Sequence, residues 1–95
     1  MGRYEVHQTD ANTPALVEYL QAHGASVAYL NRPVDLAVGY RGVSALVEVK
    51  TAKGKLNDQQ KAFLADWRGL CFVLRTEADC DDLLRTMAQM ARRAR

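Results

Sequence analysis

The sequence predicts an α/β domain in which a mixed sheet is flanked by helices. Three observations carry that prediction. Apolar stripes at helical spacing alternate with short β-rich runs in the order α-β-β-β-α-β-α. Two of those runs, over 35–38 and 43–50, surround the glycine-bounded stretch Gly39-Tyr40-Arg41-Gly42 and read as an antiparallel hairpin. The third strand, the helix after it and the fourth strand make a β-α-β unit. Its right-handed crossover should lay the fourth strand parallel to another strand of the sheet.

Residues 1–11 are polar and read as irregular. The first helix is predicted over 13–23, with Thr13 as cap, Pro14 at the first helical position and Leu16, Val17 and Leu20 as the apolar stripe. Gly24 ends it, because a left-handed residue after a helix favours glycine. A strand follows over 25–30, and Asn31-Arg32-Pro33 breaks it, since proline offers no donor to a ladder. The run over 43–50 is nearly continuous in Val, Leu and Ala, as expected of a central strand with both faces covered. Residues 51–55 form a basic, glycine-containing loop. The second helix is predicted over 58–68, with Asn57 and Gln60 at capping-box spacing and Phe63, Leu64 and Trp67 directed into the core. Gly69 stops it, and 70–74 is a short buried strand. The last helix begins near Ala78 and carries Leu83, Leu84, Met87, Met90 and Ala91 inward. Its acids Glu77, Asp79, Asp81 and Asp82 come first and its arginines Arg85, Arg92, Arg93 and Arg95 last, the arrangement that suits a helix dipole.

At 95 residues the chain is long enough for one domain and not two. Its 48% hydrophobic and 25% charged content is that of an ordinary globular protein. A net charge of +2 is compatible with nucleic acid without arguing for it. Cys71 and Cys80 lack the spacing of a zinc site or a disulfide framework. There is no apolar signal-like segment at the start and no run of membrane-spanning length, so a reducing cytoplasm and no membrane partner are expected.

The chemistry-bearing residues are Asp35, at the entry to the hairpin, and Glu48-Val49-Lys50, at its exit. With Gly39 opposite Gly42, Asp35 falls opposite Leu46, on the face shared by Leu46, Glu48 and Lys50. Asp35 is then a diagonal neighbour of Glu48 at about 7–8 Å. Two carboxylates at that separation suit a hard divalent cation, Mg²⁺ or Mn²⁺, which keeps waters when few carboxylates bind it. Lys50 is placed to orient an attacking water or to neutralise a phosphorane-like transition state. The plain alternative is a solvated ion pair at a strand end, worth under about 1 kcal/mol. Lys53 and Lys55, flanking Gly54, and Arg41 at the hairpin tip are candidate contacts to a DNA backbone.

With these pieces in view the chain resembles the PD-(D/E)XK nuclease superfamily and, more narrowly, small stand-alone phage-type VRR-NUC proteins. The resemblance runs from about Asp10 to Leu84. It is carried by Thr9-Asp10-Ala11-Asn12, Gly24-Ala25-Ser26-Val27, Asp35-Leu36-Ala37-Val38-Gly39-Tyr40-Arg41-Gly42, Leu46-Val47-Glu48-Val49-Lys50, Leu56-Asn57-Asp58-Gln59-Gln60 and Trp67-Arg68-Gly69. It implies a restriction-endonuclease-like core spanning one domain and a metal-dependent endonuclease selective for branched DNA such as junctions or flaps. It further implies a homodimer, located in a host cytoplasm if phage-encoded. Under it, Asp35, Glu48 and the backbone carbonyl of Val49 are metal ligands, Lys50 is the catalytic lysine, and Gln60 is the polar residue on the following helix. The chain departs from the family in two places. Val34 separates Pro33 from Asp35, and the usual glutamate of the first helix is missing, leaving Glu18 or Asp10 as substitutes. These departures keep open an inactive nuclease fold that binds DNA or serves assembly. A small α/β interaction domain with a coincidental motif is the third possibility.

Overall fold

The computed structural model describes residues 11–94. Asp10 and Arg95, weighed above, lie outside the described residues. Helix α1 (Thr13–Ala22) leads into β1 (Ser26–Tyr29), β2 (Leu36–Tyr40) and β3 (Val43–Val49); α2 (Asp58–Asp66), β4 (Cys71–Leu74) and α3 (Glu77–Arg93) follow. The strands form one sheet in the order β1-β2-β3-β4. The first two pairings are antiparallel, and β4 lies parallel to β3. This is an α/β fold with a mixed sheet, and the β3-α2-β4 unit makes the parallel pair, as the crossover argument requires.

Helix α1 ends where expected, with Gly24 in a left-handed conformation at φ 98°. Its start differs from the prediction. Asn12, not Thr13, occupies the N-cap, and its side chain makes no capping bond. The Asn12 amide Nδ2 instead donates to Lys50 O at 3.0 Å and to Arg75 O at 3.2 Å. Thr13 is the first helical residue and is only 1% exposed. Serving two carbonyls beyond the strand ends has won over a local cap.

The hairpin register is shifted by two residues from the prediction. Gly39 pairs with Ser44 and Leu36 with Val47, because the two-residue turn is Arg41-Gly42, with φ of 53° and 81°. Such a tight turn needs positive φ at both central positions, and glycine takes the second without strain. A turn centred on Tyr40-Arg41 would force a tyrosine there. A two-residue shift preserves the alternation of faces, so the predicted face of Asp35 stands.

One face of the sheet carries Leu36, Val38, Ala45, Val47, Val49 and Leu74. It is covered by Leu16, Val17 and Leu20 of α1 and by Cys80, Leu83, Leu84 and Met87 of α3. The opposite face, with Ala37, Ser44, Leu46 and Glu48, is covered only toward the end of β3. The expectation that the third strand is covered on both sides therefore holds for its C-terminal half alone. Helix α2 has the predicted capping box but stops at Asp66, and none of its residues is buried. Trp67 is 44% exposed rather than core. It stacks on Phe63 with centroids 5.4 Å apart and lines a groove of about 140 Å³ with Ala37, Ser44, Leu46 and Leu70.

Helix α3 begins one residue earlier than predicted, because Thr76 and Asp79 form a second capping box. Glu77 and Asp79 fall in its first turn and Arg92 and Arg93 in its last, as read from the sequence, whereas Arg85 sits mid-helix and pairs with Asp82 at 2.7 Å. Met90, predicted to point inward, is 40% exposed. A helix of 17 residues is about 25 Å long, and its final turns run past the short strands it covers. Among the described residues no helix is long and apolar enough to cross a membrane.

Candidate active site

Asp35, the residue before β2, comes beside Glu48 near the end of β3. Both side chains stand on the sheet face opposite the main core. Their carboxyl groups are near enough to share a hydrogen bond when one is protonated. The Val49 N–H donates to Asp35 Oδ2 at 2.8 Å, and the Leu30 N–H donates to the Asp35 carbonyl at 2.8 Å. The aspartate is thus held at both main chain and side chain, while Val34, 2% exposed, anchors the loop that delivers it. The valine between Pro33 and Asp35 therefore has a packing role.

Glu48 is 4% exposed. Lys50 Nζ lies 3.5 Å from its Oε2, with the lysine side chain 16% exposed. The Gln60 amide Nε2 donates to the same Oε2 at 2.7 Å. Gln60 also completes the α2 cap: its Oε1 accepts the Asn57 N–H at 2.9 Å, and its own N–H donates to Asn57 Oδ1 at 2.8 Å. One carboxamide thus both completes the helix cap and bonds Glu48.

The site lies where β3 and β4 run out side by side, with Lys50 N donating to Leu74 O at 3.0 Å. Ligands of parallel strands bind at such carboxyl ends. The charge balance there is incomplete. Burial and the neighbouring Asp35 raise the Glu48 pKa to about 7, and Lys50 offsets them only in part. Two hard carboxylates with one ammonium, on Glu48, are short of positive charge, so a divalent cation fits the donor set. Among the described residues no group of three or more His, Cys, Asp or Glu side chains comes together. A cation on Asp35 and Glu48 would thus need water and a backbone carbonyl, that of Val49 being adjacent, to fill its shell.

Glu18 is not brought to the site. It is exposed on α1, which packs against the other face of the sheet. Lys53 and Lys55 are exposed on the loop that follows Lys50. Arg41 is at the opposite end of β3, about 20 Å of strand away, where its guanidinium lies 5.2 Å from the centre of the Tyr40 ring.

Two residues that shape the site were given no role in the sequence reading. Arg75 Nη1 donates to Thr51 O and to Gly54 O, both at 2.7 Å, and so braces the basic loop from beneath. Asn12 gathers the carbonyls of Lys50 and Arg75. Their partners lie 21 to 63 residues away, so no local pattern signals them. Comparison of the chain with protein-family models, with curated proteins and with solved structures gives no match.

Proposed function

We propose that the chain is a divalent-metal-dependent DNA endonuclease of the PD-(D/E)XK type, acting on branched DNA. The observation that carries this reading is the meeting of Asp35, one residue before β2, with Glu48 near the end of β3, with Lys50 Nζ 3.5 Å from Glu48. Sequence resemblance supplies the family, and the buried Glu48 carboxylate beside Asp35, only partly offset by Lys50, supports the chemistry.

Asp35 and Glu48 would hold Mg²⁺ or Mn²⁺ together with the Val49 carbonyl. The bound cation supplies a lowered pKa for water and neutralisation of charge on a phosphoryl oxygen. The chain's own groups do the rest. Lys50 holds the attacking water or the charge that builds as water adds to phosphorus and a bridging P–O bond breaks. Gln60 fixes the Glu48 carboxylate against rotation. Lys53 and Lys55, on the loop braced by Arg75, grip the backbone and position it without reading sequence. A homodimer is part of the same proposal, and its mass in solution is the measurement.

The test is cleavage of labelled single strand, duplex, flap and four-way junction with Mn²⁺ and Mg²⁺, wild type beside Glu48→Ala. Branched substrates should be cut by wild type alone. Full activity in Glu48→Ala refutes the assignment.

One observation favours a second reading, an inactive DNA-binding or assembly module. Glu18 is on the wrong side of the sheet, leaving two carboxylates at the site among the described residues. Calorimetric titration separates the two, since an inactive module shows no carboxylate-dependent uptake of Mg²⁺ or Mn²⁺.

A further inference from the structure

Beside the carboxylates lies an open cleft of about 540 Å³, lined by Asn31, Arg32, Pro33, Asn57, Gln59, Gln60 and Phe63. That volume is within the ~300–1,000 Å³ of ordinary ligand pockets. The cleft has two walls, and both lead to the site. One is the loop of Asn31, Arg32 and Pro33, which ends in Asp35 and is closed by the Leu30–Asp35 backbone bond. The other is the start of α2, where Gln60 reaches through to Glu48 at 2.7 Å.

The lining has a distinct chemistry. Four of its side chains are carboxamides, one is a guanidinium, and none is an acid. Phe63 and Pro33 add apolar surface, and the Phe63 ring is backed by Trp67. Asn57 and Gln60 use their amides in the cap and on Glu48. Among the described residues, by contrast, no side-chain hydrogen bond engages Asn31, Arg32 or Gln59. A carboxamide presents a donor and an acceptor side by side, the pattern of a nucleobase edge. An aromatic ring beside such groups is the usual platform for a base taken out of its stack. A sulfate-like or carboxylate ligand would want more cations than one arginine.

We infer that this cleft receives an unpaired DNA base next to the phosphate that a cation on Asp35 and Glu48 would position. The base stacks on Phe63 and is bonded by Asn31 and Gln59. A base inside a duplex is paired and stacked and does not enter, so the cleft makes the enzyme prefer a branch, where unpaired nucleotides are at hand. This rests on the nuclease reading for the position of the phosphate.

The test uses the full chain and synthetic flaps in which a single abasic residue is walked through the three unpaired positions nearest the branch. Affinity is read by anisotropy without divalent cation, and Mn²⁺-dependent cleavage is read in parallel. At one position the abasic residue should weaken wild-type binding roughly tenfold. The Asn31→Gly/Gln59→Ala double variant, altered at exposed positions and with glycine tolerating the φ of 78° at residue 31, should bind intact and abasic flaps alike, and so should Phe63→Ala. Equal wild-type affinity for every flap overturns the cleft assignment, and branch-selective cleavage in that same protein leaves the nuclease reading standing. Base discrimination without any Glu48-dependent cleavage supports the cleft and overturns the nuclease reading. Loss of both overturns both.

Discussion

Gln60 donates through Nε2 to Glu48 Oε2 at 2.7 Å while its Oε1 accepts the Asn57 N–H at 2.9 Å. The start of α2 and the buried carboxylate are therefore one mechanical unit. Losing either bond disturbs both.

Gln60→Ala should cost about 1–2 kcal/mol of stability, as capping losses and broken buried bonds do. Gln60→Glu divides the two roles. Glutamate still accepts from the Asn57 N–H, but its carboxylate faces Glu48 without a donor. That variant should match wild type near pH 5 and fall below it above pH 7. Denaturant midpoints at the two pH values measure the difference.

The raised pKa of Glu48 makes stability fall with pH. Its value is about 7 in the folded chain against an ordinary 4.5, chiefly from burial and then from Asp35. Between those values the folded state holds more protons than the unfolded one, so unfolding free energy declines as pH rises from 4.5 to 7. The decline should be on the order of a few kcal/mol and should flatten in Glu48→Gln. Millimolar Mg²⁺ should restore stability at pH 7.5 in wild type and not in that variant. A wild-type profile with no slope through this window overturns the prediction.

Arg75→Ala should loosen the loop over 51–55. The guanidinium holds Thr51 O and Gly54 O, and the Gly54 N–H donates to Thr51 O at 3.1 Å. Amide exchange at Gly54 should accelerate in the variant while exchange within β3 stays slow. DNA affinity should drop several-fold, as Lys53 and Lys55 lose a fixed presentation.

Replacing both Lys53 and Lys55 with alanine should weaken binding to duplex and branched DNA alike. The slope of log affinity against log salt should shrink by about 2, one counterion per phosphate contact. An unchanged slope removes these lysines from the interface. Arg41→Ala, at the far end of β3, should leave the slope where it was.

The sequence made some of this legible and hid the rest for physical reasons. Side-chain alternation along a strand is strict, so the shared face of Asp35, Glu48 and Lys50 followed from counting. The register did not, because it hung on which two residues turn the hairpin; the Arg41-Gly42 pair, with glycine second, was the available signal. The Asn57–Gln60 cap is local and was readable. Helical spacing showed that Phe63, Leu64 and Trp67 share a side, but periodicity does not say whether anything covers that side, and Trp67 stayed exposed. Asn12 and Arg75 act on carbonyls distant in the chain, and a backbone acceptor leaves no trace in residue identity.

The bond pair from Asn12 has a consequence for how the molecule comes together. Hairpin β2–β3 contains Glu48, directly follows Asp35 and needs only local contacts to form, yet the ends beyond β3 and β4 are tied by a residue 38 positions before Lys50 and 63 before Arg75. The two carboxylates can meet early, while the rim around them closes last, when α1 docks. A cation that requires the completed rim would then be a late-binding passenger. One that binds the bare hairpin would instead act as a folding seed.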